Sequence, residues 1–123
     1  KAEELFSGGT ILTMPVEEHD RVAAYVLGLS HAVNIAFSDA LLRCGYSFKE
    51  LSDSASTTFR KQISVSREVS MENAELYYSI QRENDENDKA LESFEDSIRR
   101  VRTLSHDDFI EMMRNESEWY QGL

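Results

Sequence analysis

Ser56, Arg60, Ser64 and Arg67 recur at i, i+4, i+8 and i+11 and so share one helical face. A guanidinium fork matches a carboxylate in geometry as well as in charge. Two arginines with hydroxyls between them, in a chain of net charge −10, suit a small dianion. The alternative use of the same residues is ion pairing with the chain's own acids. A second polar set lies upstream. His31, Asn34 and Ser38 fall at i, i+3 and i+7, with Ser30 beside them, inside an otherwise apolar stretch. Polar groups on a buried helix must find partners. They are either satisfied core polars or one wall of a ligand pocket. His19 stands twelve residues before His31, which on a regular helix puts the two on roughly adjacent faces, too far apart to share a metal. His106 reads as a surface residue in the first turn of a helix.

Other chemistries have no counterpart in the sequence. There is no Glu-x-x-His and no Cys–His cluster, which argues against a di-iron or zinc site. There is no nucleophile–base pair and no Gly-rich phosphate loop, so no complete catalytic centre is expected in the 123 residues. The 23 acidic against 13 basic residues argue against a nucleic-acid partner. Cys44 is the single cysteine and cannot form an internal disulfide, which fits a reducing, cytoplasmic setting. No uninterrupted apolar run reaches the roughly 18 residues of a membrane span, and no secretory signal opens the chain. Asn115-Glu116-Ser117 is therefore read as a chance sequon.

The elements that must carry these residues are helical nearly throughout. KAEELF reads as the end of a helix, Gly8-Gly9 as its stop, and Thr10 to Met14 as a short strand with nothing to pair with, the tail of an upstream domain. Residues 1–14 are assigned to that tail and 15–123 to a helical domain. Pro15 fits the first position of a helix, with Glu17 and Glu18 in its first turn. From there apolar residues run to Gly45 with Gly28 as the one breaker, and Val22, Val26, Leu29, Val33, Ala36 and Ala40 keep helical spacing. A helix of about 45 Å exceeds what a compact chain of this size needs, which points to a core shared between two copies. Ser47 and Glu50 form a capping box. Further helices are expected over Ser56 to Ser70, after Asn73, through Leu91, Phe94, Ile98 and Val101, and after Ser105. Glu95–Arg99 and Asp96–Arg100 are expected to pair. The fold class is all-α: a long central helix with four or five shorter ones forming an intertwined dimer.

Glu17-Glu18-His19-Asp20 and Gly28-Leu29-Ser30-His31, followed at their spacing by Phe59-Arg60, by ELYYSIQREN at 75–84 and by a closing helix with Trp119, resemble the helical C-terminal domain of prephenate dehydrogenases. The resemblance covers nearly the whole chain in order. It implies an upstream Rossmann domain that binds NAD or NADP and holds the catalytic histidine, so that this chain alone would be inactive. It implies a homodimer, oxidative decarboxylation of prephenate (or arogenate) to 4-hydroxyphenylpyruvate in tyrosine biosynthesis, and tyrosine as a conceivable inhibitor. It places Arg60, with Arg67 and Ser64, at a substrate carboxylate. It puts His31, Ser30 and Asn34 at the pocket and His19 at the interdomain cleft. Where the family often has a second arginine, eight residues after the first, this chain has Glu68, and Arg67 stands one before it. Thr57 and Ala74 stand where the family commonly has proline. A non-catalytic helical dimerisation or ligand-sensing module, for example one binding tyrosine, is the alternative.

Overall fold

The computed structural model describes residues 2–6 and 12–122, with side chains from Pro15 onward. Two short strands, β1 (Ala2–Phe6) and β2 (Leu12–Pro15), are followed by six helices. The chain divides into two compact units, Lys1–Leu91 and Glu92–Leu123.

The first unit corrects the reading of the N-terminal residues. β1 and β2 pair antiparallel, with Ala2 opposite Pro15 and Glu4 opposite Thr13, so the strand does have a partner inside the chain. KAEELF favours helix by residue type, but local propensity is a weak prior that pairing overrides. The expected Gly8-Gly9 stop, and Thr10 and Ile11 of the expected strand, lie outside the described residues. Pro15 closes β2 and caps the next helix, which begins at Val16.

That helix runs for 27 residues, Val16–Leu42. It is built from α1 (Val16–Ala23), a π-helical turn (Ala24–Leu29) and α2 (Ser30–Leu42). The regular α-helix expected here is interrupted: the Ser30 N–H reaches back five residues to the Tyr25 carbonyl. The helix ends at Leu42, before the expected Gly45, which takes φ +94° in the left-handed region where a side chain is strained. By length and mean hydropathy (1.3) it is apolar enough to cross a membrane, even though polar residues break its apolar run. Only 6% of that window is buried within the chain, where burial on most sides was expected.

Three caps follow the sequence reading, and a fourth falls at Ser56, which the spacing places on the arginine face. Ser47 and Glu50 close both bonds of a capping box on α3 (Phe48–Asp53). The Ser56 hydroxyl accepts from the Phe59 N–H at the start of α4 (Thr57–Ser70). Asn73 caps α5 (Ala74–Glu83). Ser105 caps α7 (His106–Tyr120). In the polar RENDEND stretch, Asn84 Oδ1 accepts from the Glu86 N–H where α6 (Glu86–Thr103) begins.

Packing in the first unit has two centres. On α2, Asn34 Oδ1 accepts from the Ser66 hydroxyl of α4 (2.8 Å), and Ser38 accepts from Ser70 (3.2 Å). Phe37 and Phe59 meet beside them at 6.1 Å. On the π-turn, Gln81 of α5 donates to the Gly28 carbonyl (2.9 Å), and Asn84 donates to the Asp20 carbonyl (2.9 Å). Asn87, only 1% exposed, lies directly on Gly28.

The second unit holds the later part of α6 and all of α7. Arg100, Val101, Met112, Glu116, Trp119 and Tyr120 line a cleft of about 390 Å³ there. The expected Glu95–Arg99 and Asp96–Arg100 pairs give way to an Arg99–Asp96 pair, and Arg114 pairs with Glu111. The i,i+3 spacing serves as well as i,i+4 on a helix surface.

Gly28 admits no side chain. A Cβ there would fall 2.6 Å from the Asn87 carboxamide carbon and nearer still to its oxygen. Overpacking of this kind costs about 1–3 kcal/mol. Gly28→Ala is expected to lower the thermal midpoint, and the double variant Gly28→Ala, Asn87→Ala to regain part of the loss; equal midpoints for the single variant and the parent would refute the contact.

Candidate functional site

Helix α4 divides its residues between two jobs. Ser66, only 1% exposed, and Val69 are buried against the rest of the unit, while Arg60, Ser64 and Arg67 are left exposed. The last three line a cleft of about 520 Å³ between α3 and α4, with Phe48 and Ser52 opposite. Ser56 does not join them, because its hydroxyl is used as a helix cap.

Among the described residues neither Arg60 nor Arg67 has an ion-pair partner, although Glu68 lies in the same cleft. The Arg67 guanidinium instead rests over the Phe48 ring, 5.5 Å from its centroid. This cation–π contact leaves the donors at the edge of the fork available. Arg67, Phe48 and Ile63 also border a second cleft of about 410 Å³, walled by Leu41, Tyr46 and Leu51. Arg67 is thus shared between a polar cleft and an apolar one.

The polar stripe of the long helix goes elsewhere. Asn34 donates to the Ser30 carbonyl (2.9 Å) and accepts from Ser66, so both ends of its amide are used. The Ser30 side chain is exposed. His31 stacks at a tilt on Tyr77, 4.7 Å between ring centroids, and its buried Nδ1 has no hydrogen-bond partner among the described residues. The Tyr77 hydroxyl donates to Glu72 (2.7 Å). His19 Nδ1 is 3.8 Å from the Asp20 carboxylate, and its side chain is 21% exposed. The structure therefore brings Arg60, Ser64 and Arg67 together, and sets Ser30, His31, Asn34 and His19 outside their cleft. Asn34 and Ser38, both half-buried, have hydrogen-bond partners on α4.

Residues 15–116 match the family model described as prephenate dehydrogenase, dimerization domain. The chain belongs to this family. Among curated proteins, a "Probable arogenate/prephenate dehydrogenase" of Methanocaldococcus jannaschii is 25% identical over 117 residues, covering 92% of this chain. The chain spans about a quarter (26%) of that relative's length. No solved structure gives a significant match. Membership in a prephenate dehydrogenase dimerization family supplies a physical reason for the bare helix. Tyr25, Val26, Leu27, Ile35 and Leu42 are exposed along it, Leu42 to 81%. Exposed apolar side chains in this number on one helix fit a role in association.

Sequence reasoning missed Phe48 and Ser52 as cleft residues, because only folding brings α3 over α4. It missed Ser66 and Asn87 as buried polar residues, since serine and asparagine are ordinarily exposed. Gly28 carried a signal as the lone breaker of the long helix, but its partners are 53 and 59 positions away.

The hydrogen bond to Glu72, with burial and the negative charge beside it, pushes the Tyr77 phenol above its ordinary value. A pKa raised on folding stabilises the fold below the unfolded value, and that gain is lost as pH rises through the folded one. The difference in thermal midpoint between the parent and Tyr77→Phe is therefore expected to be constant to about pH 9 and to shrink above about pH 10. A difference that stays flat through pH 10 and above would show the bond to be absent.

Proposed function

We propose that this chain is the helical C-terminal domain of a prephenate dehydrogenase of the cytoplasm, dimerising and completing the substrate pocket. The reaction is oxidative decarboxylation of prephenate, or of arogenate. For prephenate, hydride leaves the ring carbon bearing the hydroxyl, the ring carboxylate departs as carbon dioxide, the hydroxyl proton passes to a base and returns to the phenolate oxygen as the ring becomes aromatic, and 4-hydroxyphenylpyruvate results. NAD or NADP, bound mainly by a nucleotide-binding domain outside residues 15–123, would supply the hydride acceptor. In this reading the chain's part is binding and orientation.

One observation carries the reading. In a chain of net charge −10, Arg60 and Arg67 have no acid partner among the described residues and face one cleft with Ser64. Two cations left without internal partners among so many acids fit an external dianion. Arg60 is the main carboxylate anchor, Ser64 adds a hydroxyl donor, and Arg67, steadied on Phe48, takes the second carboxylate. His31 and His19 belong to the wall toward the nucleotide-binding domain.

Arg60→Ala in the full-length protein is expected to raise the KM for prephenate at least about tenfold while the cofactor KM stays near its original value. An unchanged prephenate KM would remove Arg60 from the site. For the dimer, sedimentation at micromolar concentration is expected to give twice the chain mass. Introducing Asp at exposed Ile35 should shift the population toward monomer, and a parent that sediments as a monomer would sink the shared-core reading.

A further inference from the structure

The π-turn has a geometric consequence for the two histidines. In a regular α-helix, twelve residues leave a net rotation of about 120° between His19 and His31. A π-turn absorbs one extra residue, equivalent to about 100°, so the two side chains are brought to within about 20° of the same face. By the same count Asn34 and Ser38 fall within about 40° of His19. The polar stripe that runs along α2 is thereby continued past the apolar residues 24–29 onto α1.

The turn is held from outside the helix. Widening a helix by one residue disturbs its hydrogen-bond ladder, and displaced carbonyls need other donors. Gln81 supplies one, to the Gly28 carbonyl. Asn87 is fixed by donating to the Ile80 carbonyl (2.6 Å), while its own Oδ1 is buried without a donor among the described residues and pressed against Gly28. Accepting a buried unsatisfied oxygen is destabilising. Close seating on the glycine is what Asn87 obtains in return. On either side of the turn, Asn84 bonds the Asp20 carbonyl and Tyr77 stacks on His31. Helix α5 and the start of α6 thus grip the long helix before, at and after its surplus residue.

We infer that the π-turn Ala24–Leu29, clamped at Gly28 by Gln81 and Asn87, is a register device that carries His19 onto the face of His31. This makes Gly28, Gln81 and Asn87 positioning residues for the histidine wall of the pocket. The functional part of the inference rests on the pocket reading given above; the register part does not.

A one-residue surplus makes a directional prediction. Removing a residue from the turn lets it relax to a regular α-helix with both flanks where they were. Adding a residue before it rotates His19 away by about 100°. A helix without a surplus would suffer equally from either change. The test uses the full-length protein with Val26 deleted, or with one alanine inserted after Arg21, and measures thermal midpoint, prephenate KM and cofactor KM. The deletion is expected to lower the midpoint the less and to leave prephenate KM within about threefold of the parent. The insertion is expected to raise prephenate KM about tenfold or more with cofactor KM held, as misplacement of pocket groups does. Equal damage from the two changes, or equal tolerance of both, would overturn the register device. If the parent protein shows no dehydrogenase activity, the pocket reading falls, and the midpoints alone decide the register: a smaller loss for the deletion upholds it, equal losses reject it.

Discussion

A polar residue on an apolar helix has to be given a partner, and the hydrogen bond from Ser66 to Asn34 is where this fold meets that demand. Leaving either group unmatched in the interior would cost about 1–3 kcal/mol, more than most single apolar contacts return. The bond, with its neighbour between Ser70 and Ser38, fixes which face of α4 turns inward. Once that face is fixed, the rotation of α4 is no longer free. Arg60 and Ser64 then line a cleft that α3 closes, and Arg67 stands between that cleft and the one bordered by Leu41 of α2. The arginine site is thus a consequence of how core serines are satisfied.

The same logic runs along the other half of the long helix. There the partners are backbone carbonyls rather than side chains: Asn84 takes that of Asp20 and Gln81 that of Gly28. Small residues make this possible. Ala24, Gly28 and Ala90 are all buried and let neighbouring segments approach closely. Polar and small residues hold the unit's register, while larger apolar side chains such as Leu27, Ile35 and Leu42 are directed outward. This is the reverse of a self-contained monomer. It accords with membership in a family described as a dimerization domain.

Much of the fold was legible in the residue order. Ser47, Asn73 and Ser105 each cap a helix as expected, because a cap is decided by side chain and backbone within three residues. The long helix was legible from its apolar spacing, and the shared face of Arg60, Ser64 and Arg67 from helical periodicity alone. The fate of KAEELF was not legible, since its residue types favour helix and only pairing with β2 makes it a strand. The apolar length that led to an expected burial was read correctly, yet one chain covers little of it.

The sequence by itself determined where helices start, which residues share a face, and that two arginines would stand among many acids. These depend on contacts spanning three or four residues, which the order of residues specifies directly. The tertiary structure alone decided that Ser66 and Asn87 are interior, that Arg67 rests on Phe48, and that His19 turns onto the face of His31. Those outcomes depend on partners from 19 to 59 positions away. A one-residue widening of a helix rotates everything beyond it by about 100°, and no local pattern records whether distant side chains will hold it open.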